Sequence, residues 1–216
     1  MKYKAIIWDM DGTLLNTLDD LTDCLNHTLA QFDMPPRDIS ETRLFVGNGL
    51  GRMIRLSIPE NTDEATYEKV LELFKDYYKD HCRIKTRPYP GITDILVCLK
   101  AEGFKMAIVS NKVDFALKAL AKECFGDSID VAIGEQEGMR RKPEPDMVEA
   151  ALKALGVSKK DAVYIGDSNV DLMTARNSGL DCISVLWGFR TKEELTECGA
   201  DTFVSNTEEL FDMLTK

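Results

Sequence analysis

Ala5-Ile6-Ile7-Trp8 is a run of four apolar residues, and Asp9-Met10-Asp11-Gly12 follows at once. The run is too short for a core helix and reads as a buried strand. Two carboxylates and a glycine cannot continue into a sheet interior, so the chain must leave the sheet at Asp9. In open α/β sheets the carboxyl ends of strands are where ligands bind. An EF-hand loop is excluded, because its glycine belongs at the sixth position and here it stands at the fourth. Alone, the pattern suits a polar turn after an edge strand equally well, so the remaining chain has to decide.

After this strand the periodicity is purely helical for some seventy residues. Leu18, Leu21, Leu25, Leu29 and Phe32 recur at helical spacing behind Asn16-Thr17 and stop before Pro35-Pro36. A second helical piece is expected over 40–46, a third over 52–58 after Gly47-Asn48-Gly49-Leu50-Gly51, and a long one from about Asp63 with Val70, Leu73, Phe74, Tyr77 and His81 on one stripe. Past the stiff connector Arg87-Pro88-Tyr89-Pro90-Gly91, strands and helices alternate. Strands are expected over 105–109, ended by Ser110-Asn111, then over 129–133, 162–165, 182–186 and 202–204. Helices are expected between them and at the C-terminal end, with Pro145 as the first residue of one and Gly156 and Gly179 closing two. Such alternation implies right-handed crossovers and a parallel, Rossmann-like sheet with helices on both faces. The expected fold class is therefore α/β, with an all-helical domain inserted after the first strand. The core takes residues 1–16 and 84–216, the helical insertion residues 17–83, and the two crossings form a natural hinge.

The 216 residues are 44% hydrophobic, ample for a packed core. A net charge of −10 argues against a nucleic-acid or anionic-membrane partner, though a local cationic pocket can still take a small anion. The six cysteines (24, 82, 98, 124, 182 and 198) are scattered without a C-x-x-C and read as reduced thiols. With neither a signal-peptide pattern nor a stretch approaching 18 apolar residues, the expected setting is cytoplasmic. His27 and His81 are the only histidines, which argues against a zinc site or a Ser-His-Asp triad.

Four strand ends carry reactive residues: Asp9 and Asp11, Ser110 and Asn111, the loop with Lys142, and Asp167 with Asp171. Each has a bland reading. Ser110-Asn111 suits a helix cap, Lys142 a basic surface patch with Arg140 and Arg141, and Asp167-Ser168-Asn169 a cap with Asp171 favoured by the helix dipole. Pro143 and Pro145, however, fix the backbone on both sides of Lys142, more order than a surface lysine needs. A hard cation such as Mg²⁺ wants a few carboxylate oxygens, which Asp9 and Asp167 supply if their strands are neighbours. Phosphoryl transfer needs a nucleophile, a metal, cationic and hydroxyl groups on the equatorial oxygens, and an acid for the leaving group. The residues at the strand ends match those needs.

Asp9-Met10-Asp11-Gly12-Thr13-Leu14, Ser110-Asn111, Lys142-Pro143-Glu144-Pro145 and Gly166-Asp167-Ser168-x-x-Asp171 resemble, in order, the four motifs of the haloacid dehalogenase-like phosphohydrolases. The resemblance implies adjacency of the first and fourth core strands. It implies that Asp9 is the nucleophile that becomes an aspartyl-phosphate, and that Asp11 is the acid and then the base. It makes Ser110, Asn111 and Lys142 the phosphate clamp. It makes Asp9, the Asp11 carbonyl and Asp167 ligands of Mg²⁺, with Asp171 one step behind them. The helical insertion resembles the small cap of this family, with Gly47 and Asn48 on the loop that reaches substrate. Phe45-Val46-Gly47-Asn48-Gly49-Leu50 and Leu186-Trp187-Gly188-Phe189-Arg190 resemble phosphoglycolate phosphatases. Arg43, Arg52 and Arg55 are candidates for a substrate carboxylate, although a solvated helix face explains each as well.

The expected activity is Mg²⁺-dependent hydrolysis of a small phosphorylated metabolite, 2-phosphoglycolate foremost. A pyrophosphatase or another small-ester phosphatase uses the same parts, and a sugar-phosphate mutase ranks lower because the insertion does not resemble the mutase cap. A haloacid dehalogenase lacks the second motif acid, so Asp11 argues against it. A phospho-accepting receiver domain is the non-enzymatic reading, but receivers are shorter and lack an insertion. The sequence leaves the oligomeric state open.

Overall fold

The computed structural model describes residues 2–216. The first part of the chain forms β1 (Ala5–Trp8), a two-residue β2 (Leu15–Asn16), and helices α1 (Leu18–Ala30), α2 (Ile39–Phe45), α3 (Leu50–Ser57) and α4 (Glu64–His81). A two-residue β3 (Arg87–Pro88) then leads into α5 (Ile92–Ala101), β4 (Lys105–Val113), α6 (Asp114–Phe125), β5 (Val131–Glu135) and α7 (Asp146–Leu155). The chain closes with β6 (Ala162–Gly166), α8 (Asn169–Ser178), β7 (Asp181–Val185), α9 (Lys192–Glu197), β8 (Phe203–Val204) and α10 (Thr207–Thr215). Contacts divide it into two compact units, Met1–Leu15 with Pro88–Lys216, and Asn16–Arg87.

The first unit is a six-stranded parallel sheet of order β5-β4-β1-β6-β7-β8. β1 is buried on both faces, which is why it reads as an unbroken apolar run. Its alternate residues serve two cores. Ile6 and Trp8 join α5, α6 and α10 on one face, while Ala5 and Ile7 join α7 and α8 on the other. Burial of whole Ile side chains in such layers contributes about 1.5–3 kcal/mol each. Trp8 is in register with Ile108 of β4 and Ile165 of β6, so the first and fourth core strands are neighbours, as the resemblance implied. Asp9 therefore emerges where β6 also ends, between β4 and β6 at the switch in strand order where an open sheet leaves a crevice.

Two local expectations need correction. Ser110-Asn111 does not end β4; the strand runs to Val113, with a register shift against β5 between Val109 and Val113. Asn111 stays extended because its side chain pairs with the Lys142 backbone in both directions. Pro145 precedes α7 rather than opening it, in αR geometry one residue before Asp146. The fixed φ of proline presets the helix from that position too.

In the helical unit, α1 packs on α4, with Leu21, Leu25 and Leu29 buried on the first and Val70, Phe74 and Tyr78 on the second. α2 begins with a capping box, Asp38 accepting from Glu41 N–H and Glu41 accepting from Asp38 N–H. The buried Asp20 carboxylate accepts from the amides of Lys85 and Thr86, tying the end of this unit to its first helix. Both histidines stack on Tyr77, each with ring centroids 3.7 Å away.

Candidate active site

Lys142 is the hub. It sits in the loop before α7 and is 4% exposed, and its ammonium donates to Asp9 Oδ1 at 2.6 Å and Asp171 Oδ1 at 2.7 Å, with the Tyr164 hydroxyl at 3.1 Å. Its backbone is held by Asn111, whose Oδ1 accepts from Lys142 N at 2.8 Å and whose Nδ2 donates to Lys142 O at 3.1 Å. Asn111 thus locks the third motif to the second, joining the two prolines in fixing this one lysine.

Asp171 accepts from Lys142 and from the Tyr164 hydroxyl on one oxygen, and from the amide and hydroxyl of Ser168 on the other. The Ser168–Asp171 pair is the capping box of α8. A residue that looks like a helix-start acid is therefore also the anchor of Lys142.

Asp167 is held from two other segments. Its Oδ1 accepts from the Thr13 hydroxyl at 3.0 Å and its Oδ2 from Phe189 N–H at 2.7 Å, while Trp187 Nε1 donates to Thr13 O at 2.9 Å. Two glycines make room for it. A Cβ on Gly12 (φ +96°) would stand 2.3 Å from Asp167 Oδ2, and one on Gly188 2.3 Å from Asp167 Cβ and 2.5 Å from Gly12 O. This gives Trp187-Gly188-Phe189 a physical task that its sequence alone did not reveal.

The Asp11 carboxylate faces another way and takes the ammonium of Lys112 at 3.0 Å. Ser110 is buried, and its hydroxyl accepts from Lys112 N–H at 3.2 Å. Sequence reasoning missed Lys112, Tyr164 and Thr13. A lysine closing an otherwise apolar strand beside Ser110-Asn111 was a usable signal. A tyrosine inside a buried strand gave none, because its ring alone justifies the position.

Carboxylate oxygens of Asp9, Asp167 and Asp171 lie within 4.8 Å of one another, all buried. Burial first, then the charges of Asp171 and Asp167, raise the Asp9 carboxyl well above its ordinary range, against the pull of Lys142. Burial and Asp171 push Asp167 up to about 7, against donation from Phe189 N–H and the Thr13 hydroxyl. Burial works to lower Lys142, but the carboxylates of Asp171 and Asp9 outweigh it and keep the ammonium charged. Three sealed carboxylates with one ammonium are two positive charges short of neutral. The donor set, hard oxygens with a charge deficit of two, fits Mg²⁺.

Gly47, Asn48 and Arg52 belong to the helical unit. Gly47 (φ +112°) and Gly49 (φ +81°) turn the chain between α2 and α3, Asn48 is half-buried between them, and Arg52 is exposed in the first turns of α3. Arg43 lies in the last turn of α2. Arg55 lies in the last turn of α3. Its guanidinium lies 3.5 Å over the Tyr67 ring and pairs with Glu64 at 2.6 Å, so its charge is already engaged within the helical unit.

Residues 6–185 match the family described as haloacid dehalogenase-like hydrolase. N-acetylmuramic acid 6-phosphate phosphatase of Pseudomonas aeruginosa is 30% identical over 99% of this chain and 96% of its own. Phosphoglycolate phosphatase of Mesorhizobium japonicum is 32% identical over 100% of this chain and 94% of its own. The crystal structure of a candidate phosphoglycolate phosphatase from Lactobacillus delbrueckii subsp. bulgaricus is 42% identical, superposes with a TM-score of 0.94, and covers 99% of both chains. With four motifs gathered at one end of a sheet of this order, and with these relatives, the chain belongs to the haloacid dehalogenase-like hydrolase family, among its phosphatases.

Proposed function

We propose that this enzyme hydrolyses small phosphate esters of organic acids, 2-phosphoglycolate foremost, through a phosphoryl group carried on Asp9. The observation that supports this most directly is the buried Lys142 bridging Asp9 and Asp171, with Asp167 alongside. In the first step an Asp9 oxygen bonds to phosphorus as the ester P–O bond breaks, and Asp11 gives its proton to the departing alcohol oxygen. In the second, Asp11 takes a proton from water, the water oxygen bonds to phosphorus, and the aspartyl P–O bond breaks to release phosphate. The Ser110 hydroxyl, the Asn111 amide and the Lys142 ammonium hold the equatorial oxygens. Asp171 and Tyr164 orient Lys142, while Thr13 and Phe189 orient Asp167. Asp9, the Asp11 carbonyl and Asp167 would hold Mg²⁺, which would supply charge neutralisation for the phosphoryl group.

On this reading the helical unit Asn16–Arg87 is the cap, and Gly47, Asn48 and Arg52 are its candidates for selecting the substrate. No helix among the described residues is long and apolar enough to cross a membrane, and the free cysteines suit a reducing, cytoplasmic setting. The Pseudomonas relative favours a second reading, with the 6-phosphate of N-acetylmuramic acid as substrate. A phosphate-release assay with Mg²⁺ over 2-phosphoglycolate, N-acetylmuramic acid 6-phosphate, pyrophosphate and hexose phosphates separates these. The greatest kcat/KM on 2-phosphoglycolate supports the proposal; release only from pyrophosphate, or slow stoichiometric labelling without turnover, refutes it.

A further inference from the structure

Phosphoryl transfer as described requires one cationic side chain, and Lys142 supplies it. Lys112 is a second, and it is nearly as deep, with its side chain 5% exposed. Removing an ammonium from water costs several kcal/mol unless a partner compensates. Here the partner is the Asp11 carboxylate, 3.0 Å away and itself 14% exposed. In its proposed role Asp11 must lie within about 2.6–3.2 Å of the oxygen that leaves phosphorus. In that role Asp11 would have the Lys112 ammonium on one of its oxygens and the leaving oxygen within reach of the carboxyl, which puts Lys112 on the alcohol side of the ester. It also stands two residues beyond Ser110 on β4.

We propose that Lys112 is a specificity residue, whose ammonium passes from Asp11 to a carboxylate on the substrate's alcohol side and so selects phosphate esters of short hydroxy acids. This rests on the phosphomonoesterase reading above. An anionic substituent gives Lys112 a new partner at little further desolvation, because the ammonium is already buried. A neutral substituent leaves Lys112 on Asp11 and gains no such contact. Losing a hydrogen bond to a charged group corresponds to about 10- to 100-fold in rate or binding.

The test compares kcat/KM for 2-phosphoglycolate with that for ethyl phosphate, its uncharged counterpart in chain length. Wild type is expected to prefer 2-phosphoglycolate, Lys112→Met to shrink that preference about 10- to 100-fold, chiefly through KM, and Lys112→Arg to restore most of it. Inhibition by glycolate should weaken in parallel in Lys112→Met. A preference ratio unchanged in Lys112→Met, or an equal fall on both esters, overturns the assignment and leaves the phosphatase reading standing. Should the methionine variant not fold, Lys112→Gln is read by the same ratio. Wild-type protein active on neither ester overturns both readings.

Discussion

Removing and restoring Mg²⁺ at different pH values tests the charge deficit of the site. Asp167 titrates near 3.8 when exposed and is pushed up to about 7 in the fold, by burial first and by Asp171 second. Between those values the folded chain holds a proton that the unfolded chain has lost, so ion-free stability falls as pH rises through this window and levels off above about 7. At 1.36 kcal/mol per pH step, the full loss is about 4 kcal/mol. About 3 kcal/mol of that loss falls between pH 5 and pH 8, and for a chain of this length 1 kcal/mol moves Tm by about 2–4 °C, so the ion-free protein should melt about 5–10 °C lower at pH 8 than at pH 5 on this account. Mg²⁺ needs the ionised carboxylate and should recover most of that difference, with a large gain in Tm at pH 8 and a small one at pH 5. Thermal melts followed by circular dichroism, in EDTA and in Mg²⁺, give four curves. Asp167→Asn supplies the control, since it removes both the titration and the ligand. Equal Mg²⁺ gains at both pH values, or an undiminished gain in Asp167→Asn, would refute the reasoning.

Three further substitutions probe separate parts of the site. Asp9→Asn should abolish turnover while the chain still folds, because the nucleophile is lost and a buried charge with it; residual kcat above about one-hundredth of wild type would contradict its role. Gly188→Ala places a Cβ 2.3 Å from Asp167 Cβ, and should cost about 1–3 kcal/mol in urea unfolding and weaken Mg²⁺ binding in calorimetry; wild-type values for both would show that the loop yields. Tyr164→Phe removes one hydroxyl from the Lys142–Asp171 pair and should lower kcat about tenfold with KM little changed, checked by steady-state kinetics.

Much of the sheet was legible because each of its strands carries a strong local signature. β1 and β6 are short apolar runs ended by acids, and α8 is bounded by a Ser168 cap and Gly179 in the left-handed region. What stayed hidden depends on distant parts of the chain. The extension of β4 to Val113 follows from Asn111 pairing with Lys142, thirty-one residues away, and no local propensity reports that. Nothing local marks Gly188, whose requirement comes from the approach of Asp167 and Gly12. Arg55 has cation–π and ion-pair partners in Tyr67 and Glu64 that its sequence context did not announce. Lys112 stood in plain view beside Ser110-Asn111 and went unread, because a lysine at a strand end is ordinarily solvated.

The chain leaves the sheet through Leu15–Asn16 and returns through Arg87–Pro88, and these two dipeptides pair as a miniature sheet of their own. The excursion is thereby stapled shut at its root. Closure entropy grows only logarithmically, so doubling the length of chain beyond the staple costs about 0.6 kcal/mol. A lineage can therefore exchange the whole excursion for a longer, shorter or unrelated one, acquiring a new substrate filter while β1 and its aspartates keep their register.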